Sequence, residues 1–195
     1  MRLRLLLPVI AALAATPAAA QFTDGYNFIK AVKDRDGAKA TEFLDKNGVS
    51  IVNVRDNDTG DAAIHIVARR SDDVWLGFLF GKGANLNLKD REGFTPLMIA
   101  VRTGWSEGVR LMLQLKAQPD LQNRIGDTAL ALAVQKRDAT IARQLLDAGA
   151  NPDITDNSGA SARSQALADP RAAAIAKLMK DVAVKKPRPV QGPSL

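Results

Sequence analysis

Apolar residues recur at helical spacing in short paired blocks along most of the chain. Leu97, Ala100 and Val101 lie three to four positions apart, which is typical of the buried face of an α-helix. Gly104 follows as a residue typical of a helix end, and a second apolar block predicts another helix over about residues 107–116. The pattern predicts pairs of short helices. Because one pair cannot bury its apolar face alone, the pairs are expected to stack.

The blocks return with a fixed period. Gly60, Gly93, Gly126 and Gly159 are each 33 positions apart. The same frame follows each glycine: Gly-Asp-Ala-Ala-Ile-His, Gly-Phe-Thr-Pro-Leu-Met, Gly-Asp-Thr-Ala-Leu-Ala and a degenerate Gly-Ala-Ser-Ala-Arg-Ser. In the second of these frames, Thr95 is placed to cap a helix and Pro96 to begin it, where its missing amide donor costs nothing. A regular period of this length predicts a repeat protein.

The units resemble ankyrin repeats, whose pattern is Gly-x-Thr-Pro-Leu-His, then Ala-Ala, Leu-Leu and Gly-Ala followed by Asn or Asp. The residues that carry the resemblance best are Gly83, Ala84, Asn85, Gly93, Thr95, Pro96, Leu97 and Ala100. The resemblance implies an all-α solenoid of helix-turn-helix pairs joined by β-hairpin-type loops. About five repeats are expected, of which the first and last are degenerate caps.

The chain divides into three segments. Residues 1–20 combine Arg2 and Arg4, an apolar run and a final Ala-Ala-Ala, which predicts a Sec-type secretory signal cut after Ala20. The apolar run is too short to span a membrane, so no transmembrane segment is expected after cleavage, and the product is expected to be periplasmic or secreted. Residues 21–184 form the repeat domain, with units at about 21–56, 57–89, 90–122, 123–155 and 156–184. Residues 185–195 are basic and rich in proline, which predicts a disordered tail.

The charge of the chain is concentrated at its ends. The chain has 27 Lys and Arg against 21 Asp and Glu, a formal net charge of +6. Five of the basic residues lie in residues 1–20 and 185–195, so residues 21–184 carry 22 basic against 21 acidic residues. A nucleic-acid-binding domain concentrates cations on its folded surface, so no nucleic-acid partner is expected. The chain has no cysteine, which excludes disulfides and thiolate metal sites, and no cofactor or metal is expected.

His65 is the only histidine and falls at the histidine position of the ankyrin pattern. The resemblance implies that its ring joins neighbouring turns by hydrogen bonds. The alternative is an enzyme that uses His65, but Met98 and Ala131 occupy the equivalent positions of the next two units. A catalytic site is therefore not expected.

Residues 56–61, Asp-Asn-Asp-Thr-Gly-Asp, invite comparison with a calcium-binding loop. An EF-hand loop that began at Asp56 would need an acidic residue at its fifth position and a glutamate at its twelfth, where this chain has Gly60 and Val67. The segment is therefore predicted to be a turn between repeats.

Partners of ankyrin folds mostly bind in a concave groove lined by hairpin tips and first helices. By position, the ends of the first helices carry Lys33-Asp34, Arg69-Arg70, Arg102-Thr103 and Gln135-Lys136, which predicts a basic floor. Trp75 is predicted to lie in the core and Trp105 to be partly exposed. The predicted partner-binding residues are Arg69, Arg70, Arg91, Phe94, Arg102, Trp105, Arg124, Ile125 and Lys136. The alternative is that these cations are solvated and complement helix dipoles.

The function predicted from the sequence is a non-catalytic, monomeric, exported adaptor that binds an acidic protein partner. The resemblance to small bacterial exported ankyrin proteins implies a role in the cell envelope, in some cases the protection of partner enzymes under oxidative stress. The alternative from another class is a binder of envelope polyanions or small anionic ligands through the basic stripe and tail. Its affinity would fall steeply with salt.

Overall fold

The computed structural model describes residues 17–180 and residue 182, which contain ten α-helices in five antiparallel pairs. The helices are α1 (Pro17–Lys33), α2 (Gly37–Asn47), α3 (Ala63–Arg69), α4 (Asp73–Gly81), α5 (Pro96–Thr103), α6 (Ser106–Gln114), α7 (Ala129–Lys136), α8 (Ala139–Asp147), α9 (Ala162–Ala168) and α10 (Ala173–Met179). Two 3₁₀-helices lie at Gly48–Asn53 and Pro170–Ala172. Of the predicted signal only residues 17–20 are described, as the start of α1. The predicted tail lies outside the described residues.

The five pairs stack in register. The first helices α1, α3, α5, α7 and α9 pack one on the next, and so do the second helices α4, α6, α8 and α10. Ile64, Leu97 and Leu130 lie 33 positions apart and are all 0% exposed, so each unit covers the apolar face of its neighbour. The predicted all-α solenoid is confirmed.

The helix ends follow from the local sequence. The Thr95 hydroxyl accepts the amide of Met98 at 3.3 Å, and the Thr128 hydroxyl accepts that of Ala131 at 3.2 Å, so both threonines act as N-caps. Gly104 ends α5 in the left-handed region at φ 72°. The helix predicted over residues 107–116 is α6, which begins one residue and ends two residues earlier.

The tips are the turns at residues 56–60, 90–93, 123–126 and 156–159, and each contacts the next. The Arg124 amide donates to the Glu92 carbonyl, and the Asn157 amide donates to the Ile125 carbonyl, both at 3.1 Å. At Gly126 a Cβ atom would lie 2.7 Å from the Asn157 nitrogen. In the described residues the tips form isolated β-bridges, at 55–62 and 155–161, and no strand. The stack thus depends on close backbone contact between tips.

Trp105 is buried at 9% exposure, so the expectation of a partly exposed side chain is wrong. Its indole nitrogen donates to Asp73 on α4 at 3.0 Å. Its ring lies over Gly108, where a Cβ atom would come within 2.1 Å of the indole Cδ2 atom. The missing side chain at Gly108 makes room for the indole, and Asp73 supplies its acceptor. Trp105 is therefore a packing residue.

Trp75 packs against the core, as predicted. It is half-buried. Its ring meets the Phe78 ring edge-on with centroids 5.3 Å apart, and the Arg70 guanidinium lies 5.1 Å from its centroid. The residue packs at the surface of α4.

Gly108→Ala is expected to lower the free energy of unfolding, although alanine favours helix. The gain in helix propensity is about 1 kcal/mol. Overpacking against Trp105 costs about 1–3 kcal/mol. Gly77 in α4 is a matched control because no atom lies within 4 Å of a Cβ placed there, so Gly77→Ala is expected to stabilise the protein. Urea unfolding of both variants tests this, and a Gly108→Ala protein as stable as Gly77→Ala would contradict it.

Candidate functional site

A depression of about 660 Å³ lies between the tips and first helices of the third and fourth units. We refer to it as the tip depression. It is lined by Glu92, Phe94, Arg102, Asn123, Arg124, Ile125, Asp127, Leu132, Gln135 and Lys136. Five of the nine predicted partner-binding residues, Phe94, Arg102, Arg124, Ile125 and Lys136, are brought together here.

The tip depression has apolar side chains exposed among its polar residues. Ile125 is 63% exposed at the tip, and Phe94 is half-buried. The Arg102 guanidinium lies 4.5 Å from the centroid of the Phe94 ring, within cation–π distance. The arginine is therefore held beside the apolar surface instead of extending freely into water.

The pairing of Phe94 with Arg102 follows a spacing that the sequence reasoning missed. In the second, third and fourth units the residue after the tip glycine contacts the residue eight positions later. Asp61 pairs with Arg69 in this way, and Asp127 accepts a hydrogen bond from Gln135 at 3.1 Å. Phe94 replaces the aspartate in the third unit. The unit thus presents an aromatic ring and an arginine where its neighbours have hydrogen-bonded polar pairs, and the i to i+8 spacing in the sequence carries this signal.

The cations of the tip depression are weakly neutralised. Arg102 Nη1 lies 4.0 Å from Glu92 Oε2. Arg124 and Lys136 form no ion pair with any carboxylate of residues 17–180. Asp127 is 4% exposed, so its charge does not face the solvent. The exposed lining therefore has three cations against the single carboxylate of Glu92.

At the N-terminal end of the predicted basic floor, the cations are already paired with carboxylates of this chain. Arg69 Nη2 lies 2.9 Å from Asp61 and 2.8 Å from Asp90. Burial lowers the pKa of Arg69, but the hydrogen bonds and charges of the two aspartates more than offset this and raise it overall. The ammonium group of Lys33 lies 2.8 Å from Asp56 in the same manner. Because neighbouring carboxylates neutralise Arg69 and Lys33, these two cations attract an acidic partner only weakly.

Arg70 does not line the groove either, and its prediction as a groove residue is wrong. Its side chain is 16% exposed, and its Nη1 atom donates to the Val32 carbonyl at the end of α1 at 2.5 Å. Its Nε atom lies 3.2 Å from Asp72, and burial lowers its pKa. Arg70 holds the first two units together.

Arg91 is exposed but acts between tips. Its guanidinium donates to the Asn57 carbonyl of the preceding tip, outside the lining of the tip depression. This contact adds to the backbone bonds that join successive tips.

Asp56 makes a turn, as predicted. One carboxylate oxygen accepts the amides of Asp58 and Thr59 at 2.9 and 3.0 Å. The hydrogen bond from Lys33, together with these amides, lowers the pKa of Asp56 to about 2. Within the part of the chain that the structure describes, no group of His, Asp and Glu is spaced to hold a metal ion, and no helix is both long and apolar enough to cross a membrane.

His65 is 0% exposed and joins the start of α3 to the last residues of the same unit. Its Nδ1 atom accepts the Ala62 amide at 3.0 Å, and Nε2 donates to the Leu88 carbonyl at 3.0 Å. Ala62 stands where the next two units have the capping residues Thr95 and Thr128. Burial lowers the pKa of His65 and keeps the ring neutral. Because both ring nitrogens are engaged by the backbone, neither is free for a substrate.

The family model for ankyrin repeats, in three copies, matches residues 28–123 and 64–156. Together these matches cover 129 of the 195 residues. The chain belongs to the ankyrin-repeat family. Ankyrin repeats generally mediate protein–protein interaction and are typically non-catalytic. A search of curated proteins finds no match.

Proposed function

We propose that this ankyrin-repeat protein is an exported, non-catalytic adaptor whose tip depression binds an acidic segment of a partner protein. The observation that supports this is the grouping of exposed Ile125 and half-buried Phe94 with Arg102, Arg124 and Lys136. The partner segment is expected to carry carboxylates around one apolar side chain.

The two kinds of side chain have different parts in binding. The apolar side chain of the partner buries against Phe94 and Ile125, which supplies affinity. The cations steer acidic partners to the site and select against basic ones. Arg102 combines both effects, because the Phe94 ring already holds it in place and little conformational entropy is lost on binding.

Export is proposed from the pattern of residues 1–20, and it places the adaptor in the periplasm or outside the cell. An envelope protein with an acidic surface is therefore the class of partner to test first.

The charge-reversal variant Arg102→Glu/Lys136→Glu tests the site. The matched control is Arg143→Glu/Lys177→Glu, which removes the same charge from exposed cations outside the tip depression. Partners are captured from an extract of the native envelope, and the purified partner is titrated against each variant. The site variant is expected to bind about 100-fold more weakly, the effect of losing two central interface residues. Equal loss in both variants would contradict the proposal.

Arg69→Glu is unsuitable for this experiment, although the sequence favours it. It would bring a third carboxylate beside Asp61 and Asp90 and would weaken the fold itself.

Polyanion binding is the second candidate, because Arg124 and Lys136 have no carboxylate partner within residues 17–180. Polyphosphate is the probe. Binding of polyphosphate that falls steeply with salt and is lost on deletion of residues 185–195 would favour this candidate. Binding of a protein that survives the deletion but not Arg102→Glu/Lys136→Glu would favour the adaptor.

A further inference from the structure

Helix α4 exposes an apolar face to solvent. Leu76 and Leu79 point into the core and are 1% and 0% exposed. On the opposite side, Val74 is 80% exposed. The outer face of α4, as we use the term, consists of Val74, Gly77, Phe78 and Gly81.

The equivalent helices have mostly polar outer faces. In α6, the positions of Val74, Gly77, Phe78 and Gly81 are taken by Glu107, Arg110, Leu111 and Gln114, and in α8 by Thr140, Arg143, Gln144 and Asp147. The repeat therefore does not require apolar residues at these places. An exposed apolar side chain such as Val74 beside half-buried Phe78, on one helix among mostly polar equivalents, is typical of an interaction site.

The face is also open on its N-terminal flank. α4 packs on α6, but α2 does not pack on α4 in the same way, because the chain continues from α2 into the 3₁₀-helix Gly48–Asn53. A depression of about 210 Å³ remains between the first two units. It is lined by Arg35, Gly37, Val74, Trp75 and Phe78.

We infer that the outer face of α4 binds the same face of a second copy of this chain. An interface with two-fold symmetry requires a surface that complements itself. Val74 projects from the helix and Phe78 is half-buried beside it, next to Gly77 and Gly81, where a Cβ atom would have no neighbour within 4 Å. Projections and hollows thus lie on one face, and each copy offers hollows for the projections of the other.

The charges around the face favour a second copy over a strongly charged partner. The flanking ions are already paired within the chain: Lys39 with Asp36, Lys82 with Asp45, Arg35 with Asp72 and Arg110 with Glu107. A symmetric interface brings its rim against the same rim, so a rim of one sign would repel itself. Because the charges of the rim are balanced, two copies do not repel each other. A strongly charged partner would find no excess of opposite charge on this rim.

The inference replaces the expectation of a monomer that the sequence favours. It uses no residue of the tip depression, so it stands or fails independently of the proposed function.

Sedimentation velocity on the purified chain, over a concentration series, tests the inference. The variant Val74→Glu/Gly77→Arg gives α4 the residues that α6 has at the equivalent positions. The wild type is expected to dimerise and the variant to be monomeric, with a dissociation constant raised by about 100-fold or more. Because Gly77→Arg raises helix propensity, the variant is expected to keep its helical circular dichroism and cooperative melting.

Leu167→Glu is the control for an added surface carboxylate, because Leu167 is 69% exposed on α9 and receives the same side chain as Val74. This variant and Arg102→Glu/Lys136→Glu should remain dimeric. The native chain has no cysteine, so Gly81→Cys should form a disulfide-linked dimer under mild oxidation faster than Leu167→Cys.

A monomeric wild type would overturn the inference, as would a dimer that survives Val74→Glu/Gly77→Arg or dissociates equally with Leu167→Glu. A monomeric wild type whose capture of another protein is lost in Val74→Glu/Gly77→Arg would assign the face to a different partner and would equally overturn it.

Discussion

Gly126→Ala is expected to lower the free energy of unfolding by about 2–5 kcal/mol, because it adds a strained backbone conformation and a steric contact. Gly126 has φ 90°, a conformation that alanine adopts only with strain. The added Cβ atom would also lie 2.7 Å from both the Asn157 nitrogen and the Asp156 Cα atom. These are backbone atoms of the next tip, so the contact is relieved only if two units move apart.

Gly159→Ala separates the two causes. Gly159 occupies the same position one unit later, with φ 86°, but no atom lies within 4 Å of its Cβ position. Gly159→Ala is expected to lower the free energy of unfolding by about 1–2 kcal/mol, the cost of the backbone conformation alone. Urea unfolding gives the free energy of unfolding of each variant, and the difference between the two losses is the contribution of the contact between tips. Equal losses would show that the tips do not hold the units together.

His65→Ala is expected to cost about 3 kcal/mol at neutral pH, because it leaves the buried Ala62 amide and Leu88 carbonyl unpaired and opens a cavity. It should also change the pH dependence. The pKa of His65 is lowered from 6.5 in the folded state, so the unfolded chain binds the proton more readily. The contribution of the neutral ring is complete above pH 6.5 and is lost as the pH falls below 6.5 toward the folded pKa.

Met98→Ala is the control for the cavity. Met98 holds the equivalent position of the next unit at 1% exposure, but it cannot titrate. Both variants should be less stable at neutral pH, whereas only His65→Ala should flatten the decline in stability below pH 6.5. Unfolding midpoints across that range test this. An unchanged acid decline in His65→Ala would mean that the ring is not the group that titrates.

The fold could be predicted because each unit specifies itself locally. The caps at Thr95 and Thr128, the helix end at Gly104 and the 33-residue spacing of buried Ile64, Leu97 and Leu130 require no knowledge of distant contacts. Local signals that agree and repeat leave few alternative architectures.

The candidate site was predicted only in part, because charge and exposure depend on neighbouring units. Position alone made Arg69 a groove cation, but Asp90, 21 residues away, helps neutralise it. Trp105 appeared exposed because nothing at its own position shows that Gly108 leaves room for the ring. The five residues that do meet in the tip depression share one junction between units.

The hydrogen bond from the Asn157 amide to the Ile125 carbonyl links the proposed recognition surface to the last unit of the stack. Repeat arrays unfold most readily from their ends. When the C-terminal unit unfolds, the tip that carries Ile125 loses its hydrogen bond to Asn157. The affinity for a partner is therefore expected to depend on the folding of a unit that does not contact the partner. A bound partner would in turn restrain that end of the molecule, and slower amide exchange at Asn157 would report occupancy from a distance.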